Sequence, residues 1–330
     1  MSLDYKKYCQ EIFSIKTEND FFKLAVGAFN FQSKQNKHFK KFLSLIDYKL
    51  ENYKSIEDFR FLPIELFKHH RIVSGENSDK IVFKSSGTGG LRSSHHLLDT
   101  DLYKKSSELG FKCFYGDLKN YVILGLLPDY IERGDASLVF MLEHFIEKSQ
   151  NSLSGFYLHD YEKLAKTIIN LEEKSQKYLL IGISSALLNF AEFLKTPLKT
   201  GIIMETGGSK GMKKELLRHE IHEIITKNLN INSVHSEYGM TELLSQAYSV
   251  GNGVFKTPAW MKVVIRDTND PSSIAMHGQG AINIIDLANI NSCCFIETSD
   301  IGKVFPDGSF EISGRFDYSD LRGCNQMFID

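Results

Sequence analysis

The sequence predicts an α/β fold in which a mostly parallel, doubly wound sheet is followed by a β-rich region. Three observations carry this expectation. Runs of continuous apolar residues recur at Tyr121–Leu127, Tyr178–Ile183, Gly201–Thr206 and Ser233–Tyr238, as in strands buried on both faces. Between and around them, Ser137–Lys148, Asp160–Lys174, Ala186–Lys195 and Met212–Lys227 have the apolar spacing or charge pattern of helices. After about residue 245 the texture changes to short strands, Met261–Arg266, Gly280–Ile285 and Ser309–Ser313, separated by turns such as Asp307–Gly308. That part reads as antiparallel.

Earlier in the chain, Phe21, Phe22, Leu24 and Ala25, and then Phe39, Phe42, Leu43 and Ile46, recur at near-helical spacing. The expected organisation is a helical lead-in over 1–75, an α/β core over 76–245 and a β-rich subdomain over 246–330, sharing one compact body. Pro63 limits any helix before it. Lys80–Ser85 reads as a short strand that breaks into a loop of serine and glycine.

Bulk properties narrow the function classes. The 330 residues are 42% hydrophobic and 24% charged with a net charge of −2, which provides no global field for nucleic acid or a membrane surface. The longest apolar stretch, Leu179–Leu194, contains Asn189 and Glu192. It falls short of the roughly 20 apolar residues a spanning helix needs and reads as a strand entering a helix. The N-terminus is polar and lacks a signal-type apolar region. Cys9, Cys113, Cys293, Cys294 and Cys324 are odd in number and contain no CxxC pair, so the expected setting is a reducing cytoplasm.

The densest chemical signal is the loop Ser85, Ser86, Gly87, Thr88, Gly89 and Gly90, directly after a strand. Glycines let backbone N–H groups converge on an anion, and hydroxyls add uncharged donors. The pattern suits the β- and γ-phosphates of a nucleotide but is not GxxxxGK[ST]; the alternative is a flexible turn. A second signal, Ser236–Glu242, follows the fourth strand. Tyr238 can stack on a flat base, and Gly239 permits a tight turn at a strand's carboxyl end, where open α/β sheets bind ligands. Thr241 can contact phosphate and Glu242 can hold Mg²⁺. The alternative is a helix cap at Thr241. Asp300, before a glycine, can accept ribose hydroxyls or be an ordinary turn aspartate. Arg315 can reach ribose or phosphate or lie on the surface. His69, His70, His95 and His96 read as solvated surface near loops. His219 and His222 share a helix face with Glu223, but HExxH is absent and zinc is not expected.

In their order, residues 85–90, 238–242, 298–302 and 314–317 resemble the motifs of the adenylate-forming superfamily. Within it the chain is similar to the acyl-protein synthetase of the bacterial luminescence fatty acid reductase complex and its phenylacetate-CoA ligase-like relatives. Leu126–Leu138, Glu205–Gly211 and Leu321–Asn325 carry that narrower likeness, which covers most of the chain from about residue 60. The resemblance implies the N-terminal domain fold of that superfamily. It also implies ATP and Mg²⁺ as cofactors and a fatty acid as substrate. Ser85, Ser86, Gly87, Thr88, Gly89 and Gly90 would embrace pyrophosphate. Gly207 and Gly208 would line the adenine and acyl pocket, and Tyr238 would lie against adenine. Thr241 would contact the α-phosphate, Glu242 would ligate magnesium, and Asp300 would bind ribose with Arg315 nearby.

The sequence departs from the superfamily in two places. Arg92 stands where a lysine usually follows the phosphate loop, either replacing it or marking a lost role. The chain stops at Asp330, leaving no room for the mobile C-terminal domain and its catalytic lysine. The expected reaction is acid plus ATP to acyl-AMP, then transfer to a thiol. Cys324, close behind Arg322, is the candidate thiol, with a spectator cysteine as the alternative; Cys293 and Cys294 read as core. An acyl reductase or an acyl carrier protein is the expected partner. Other readings are a ligase acting on CoA or a carrier protein, and a non-catalytic acyl- or nucleotide-binding subunit.

Overall fold

The computed structural model describes residues 3–49, 53–76, 78–86, 90–128, 134–207 and 218–316. Helix α1 (Tyr5–Glu11) is followed by α2 (Glu18–Gln35) and α3 (Lys37–Leu45). The start of α2 is fixed by a capping box in which Thr17 and Asp20 satisfy each other's backbone N–H groups. Asn36 ends α2 and caps α3 through the amides of His38 and Phe39. Strand β1 (Leu62–Pro63) and the short helix α4 (Leu66–His69) lead to a hairpin of β2 (Ile81–Lys84) and β3 (Ser94–Leu97), and then to α5 (Thr100–Tyr115).

A six-stranded sheet forms the centre of the α/β part. It is built from β4 (Val122–Leu126), β5 (Gly155–Phe156), β6 (Tyr178–Ile183), β7 (Gly201–Thr206), β8 (His235–Tyr238) and β9 (Ala247–Ser249). Their order is β5-β4-β6-β7-β8-β9, parallel except for the last pair. Helices α6 (Ser137–Ser149), α7 (Tyr161–Glu173), α8 (Ser184–Leu194) and α9 (Arg218–Leu229) make the crossovers. Side-chain alternation along β4 explains the two-sided wrapping. Val122, Leu124 and Leu126 join a core with Leu164, Ile168, Leu187 and Ile221 of α7, α8 and α9. Ile123 faces the opposite core, with Phe111, Leu142 and Phe145 of α5 and α6. The expected doubly wound α/β architecture is present, with strands within a few residues of their expected bounds. The expected helix Met212–Lys227 is seen as Arg218–Leu229, its earlier residues lying outside the described ones.

The second sheet runs β10 (Val254–Phe255), β15 (Phe310–Arg315), β14 (Phe295–Val304), β13 (Gly278–Asp286), β11 (Met261–Arg266) and β12 (Ile274–Ala275), antiparallel throughout, with β1 added parallel to β14. Helices α2 and α3 lie on it. Phe29 and Phe39 meet Phe295 at ring-centroid distances of 5.0 and 6.3 Å. The buried Gln32 amide donates to the carbonyls of Asn289 (3.1 Å) and Ile290 (2.9 Å) and accepts from the Cys294 N–H (2.8 Å). Cys293 and Cys294 are fully buried, as expected of core residues. Among the described residues no helix is long and apolar enough to cross a membrane.

Candidate functional site

The turn after β8 meets the loop end of the β2–β3 hairpin through His95 and Thr241, and Tyr238 at the end of β8 reaches Asp300 of β14, which pairs with Arg315 of β15. The serine-glycine loop joins two antiparallel strands rather than a strand and a helix. Its neck is pinched by Ser85 N–H to the Ser93 carbonyl (3.0 Å) and Ser93 N–H to the Ser85 hydroxyl (3.0 Å). Gly87, Thr88 and Gly89 lie outside the described residues; Ser85, Ser86 and Gly90 flank them. Arg92 does not reach outward as a phosphate-binding lysine would. Its guanidinium grips Asp135 with both terminal nitrogens (3.0 and 2.9 Å), and its Nε donates to the Ser85 carbonyl. The fork of an arginine fits this bidentate role. Through these contacts Arg92 braces the base of the loop.

After β8 the chain turns through Gly239, Met240, Thr241 and Glu242 with no helix, so the helix-cap alternative at Thr241 is overturned. Gly239 has no left-handed φ; a Cβ there would stand 2.5 Å from Glu237 Oε1, so a larger residue would displace the end of that side chain. Glu242 is only 4% exposed. Burial pushes its carboxyl up, while the Ser93 hydroxyl and, more weakly, the Arg315 guanidinium oppose that.

His95 is the main correction to the sequence reading, which set it on a solvated surface. It is 1% exposed. Nδ1 lies 2.8 Å from the Thr241 carbonyl and Nε2 3.2 Å from Asn289 Oδ1. Burial depresses its pKa to about 4, so the ring is neutral and carries one N–H, which the shorter contact assigns to Nδ1. Asn289 Nδ2 donates to the Glu242 carbonyl (2.7 Å) and the Cys293 carbonyl (2.9 Å). Asp286 takes the Leu244 and Ser245 amides at 2.8 and 3.0 Å. No pattern in the sequence marks His95, Asp286 or Asn289, because the contacts that tie them to this turn and to each other span 41 to 194 positions. His69 and His70 are exposed, as expected, and His96 pairs with Asp79 at 2.8 Å.

Asp300 is not a turn residue. It lies within β14, opposite Arg315 of β15 and next to a register shift at Ile301–Gly302. It accepts from the Tyr238 hydroxyl (2.7 Å) and from Arg315 Nε (3.0 Å). Tyr238 packs between Phe255 and Phe310, with centroids at 5.7 and 5.3 Å. Arg315 is 55% exposed at its side chain. The expected residues Tyr238, Asp300 and Arg315 therefore share one hydrogen-bonded chain beside Glu242.

At the end of β7, Gly207 has φ +74°, which favours glycine; Gly208 lies outside the described residues. Glu205 accepts from the Ser184 hydroxyl, His222 Nε2 (2.9 Å) and Arg218 Nε (3.2 Å). Burial disfavours its charge, but His222, Arg218 and Ser184 outweigh it and hold the carboxyl below its usual range. His222 thus serves a carboxylate, and no cluster of three or more metal-ligating side chains occurs among the described residues. Glu237, which accepts from the Thr206 hydroxyl, is pushed up to about 7 by burial. Cys324 lies outside the described residues.

No family model matches the sequence, and no curated relative matches it. Solved structures do. An ATP-bound RpMatB–BxBclM chimera aligns at TM-score 0.54 and 16% identity, covering 73% of this chain and 49% of that one. ATP-bound MatB from Rhodopseudomonas palustris gives 0.52 and 16% with the same coverage. A long-chain-fatty-acid–CoA ligase from Archaeoglobus fulgidus gives 0.52 and 15%, over 73% of this chain and 52% of that one. The chain spans about half the length of these structures. At such identities the likeness speaks for architecture alone, an α/β fold shared with about half the length of each of these structures.

Proposed function

We propose that the chain binds ATP at the carboxyl edge of the six-stranded sheet, joins a fatty carboxylic acid to the α-phosphate, and hands the acyl group to a protein thiol. The observation that carries this reading is the convergence of three separate motifs. The hairpin that carries the serine-glycine loop meets the Thr241–Glu242 turn through His95, whose Nδ1 lies 2.8 Å from the Thr241 carbonyl, and Tyr238 at the end of β8 reaches the Asp300–Arg315 pair. ATP-bound MatB has the same fold at 16% identity, which supports ATP as the nucleotide.

A carboxylate and a triphosphate repel each other, so the site must present dipoles and positive charge where the new bond forms. In this reading Ser85, Ser86, Gly87, Thr88, Gly89 and Gly90 hold the leaving pyrophosphate through N–H and O–H donors. Thr241 contacts the α-phosphate. Asp300 accepts the ribose hydroxyls and Arg315 orients it, while Tyr238, Gly207 and Gly208 wall the adenine and acyl pocket. A carboxylate oxygen bonds to the α-phosphorus, and the bond to the bridging oxygen breaks as pyrophosphate departs with its electron pair.

Glu242 fits Mg²⁺. It is a buried oxygen donor whose charge is only partly offset by Ser93 and Arg315, and phosphate oxygens would complete the shell of a hard cation. Magnesium bound there would supply screening between the phosphates and the acid. Cys324 is the proposed acceptor: its thiolate forms the thioester and AMP leaves, keeping one oxygen of the acid. An acyl reductase or a carrier protein would take the group onward.

Acid labelled with ¹⁸O in its carboxyl group tests the first step. One labelled oxygen should appear in AMP; unlabelled AMP sinks the reading. A fatty acyl label on the protein that hydroxylamine removes, and that Cys324→Ser abolishes, supports the second step. Soluble acyl-CoA formed without that label assigns the acceptor role to CoA instead.

A further inference from the structure

We propose that His95 and Asn289 are positioning residues that lock the Thr241–Glu242 turn against the phosphate hairpin, so that this turn meets a magnesium–nucleotide already in place. The inference deepens the proposed function and rests on it.

Residues 241–245 have no ladder or helix to fix their backbone groups, yet Glu242–Ser245 are buried, Thr241 is half-buried, and the segment is hydrogen-bonded by side chains from other elements. The Thr241 carbonyl takes His95 Nδ1–H at 2.8 Å, the Glu242 carbonyl takes Asn289 Nδ2 at 2.7 Å, and the Leu244 and Ser245 amides reach Asp286 at 2.8 and 3.0 Å. A buried carbonyl without a donor is costly, so these bonds decide where the turn sits.

The origins of the two side chains give the bonds their meaning. His95 stands on β3, two residues beyond Ser93, which closes the neck of the serine-glycine loop. Asn289 follows β13 and holds the Cys293 carbonyl with the same amide. His95 Nε2 and Asn289 Oδ1 are 3.2 Å apart. The phosphate hairpin and the second sheet thus each hold the metal turn through one side chain, His95 and Asn289 standing next to each other, and the carbonyls they hold belong to the two residues expected to touch phosphate and metal. A purely space-filling residue would need no imidazole, since burying an unpaired polar ring at 1% exposure is unfavourable. Phe67 already packs against the ring at 6.0 Å.

The test is calorimetric titration of the full chain with ATP, with and without Mg²⁺. His95→Leu should lower the magnesium-dependent gain in ATP affinity about tenfold, as the loss of one buried hydrogen bond implies. Affinity for metal-free ATP should stay near wild type. His95→Asn, whose amide can occupy the Nδ1 position and donate to Thr241, should recover most of the gain; His95→Gln, which reaches toward Asn289, should recover less. If His95→Leu fails to fold, the Asn-over-Gln order decides the matter. Equal loss of affinity with and without Mg²⁺, no loss, or equal recovery by Asn and Gln overturns the positioning role. A wild-type chain without magnesium-dependent ATP affinity overturns the proposed function itself, and the inference with it.

Discussion

Glu237 is a carboxyl maintained at a cost, and its replacement by glutamine gives a quantitative test of the interior beneath the site. It is 7% exposed and faces Tyr248 across the β8–β9 pair. Burial moves its pKa from the ordinary 4.5 to about 7, with the Thr206 hydroxyl opposing the shift. A raised carboxyl pKa means that the folded state holds the proton more tightly than the unfolded state. Between pH 4.5 and 7 the unfolded chain therefore releases the proton first, and folding stability falls as pH rises. At about 1.4 kcal/mol per pH unit, the penalty approaches roughly 3 kcal/mol above pH 7. Glu237→Gln has no proton to lose and keeps an oxygen for Thr206. Its stability relative to wild type should grow by roughly 3 kcal/mol from pH 4.5 to pH 7 and level off above that. Urea unfolding at several pH values reads this difference directly. Asp286, raised to about 6 by burial, titrates in both proteins and cancels. A difference that stays constant across this range, or that shrinks with rising pH, refutes the reasoning.

Two further outcomes follow from the packing and the hydrogen-bond geometry. Phe295→Ala removes the ring that meets Phe29, Phe39, Phe59 and Phe61; chemical denaturation should show a loss of about 3–5 kcal/mol. Tyr238→Phe deletes the 2.7 Å donor to Asp300. It should cost about 1.5–3 kcal/mol as a bond to a carboxylate and raise the KM for ATP, while Arg315→Ala, acting on the exposed side of the same carboxylate, should affect KM more than stability.

The sheet was legible because β4, β6 and β7 are continuous apolar runs and their crossover helices carry clear periodicity. Strand β14 was not, since Thr298, Ser299 and Asp300 interrupt its apolar pattern and read as a turn. Buried polar side chains in a strand acquire their reason only from neighbours: Thr298 bonds the Ile282 carbonyl at 2.7 Å, and Asp300 meets Tyr238 and Arg315. Strand β3 was missed for a similar reason, because Ser94, His95 and His96 carry no strand signal until His95 is paired with Thr241 and Asn289. At the site, the motif residues Tyr238, Glu242, Asp300 and Arg315 were named by order and spacing. The residues that hold them in place were not, because their contacts join distant segments.

Acid-dependent exchange of labelled pyrophosphate into ATP by the purified chain tests adenylation at this cleft most directly. The wild type should exchange label when a fatty acid and Mg²⁺ are both present, and Glu242→Gln should lose nearly all of that exchange while remaining folded. Tight ATP binding with no exchange for any fatty acid offered, or exchange unaffected by Glu242→Gln, would contradict adenylation at this cleft.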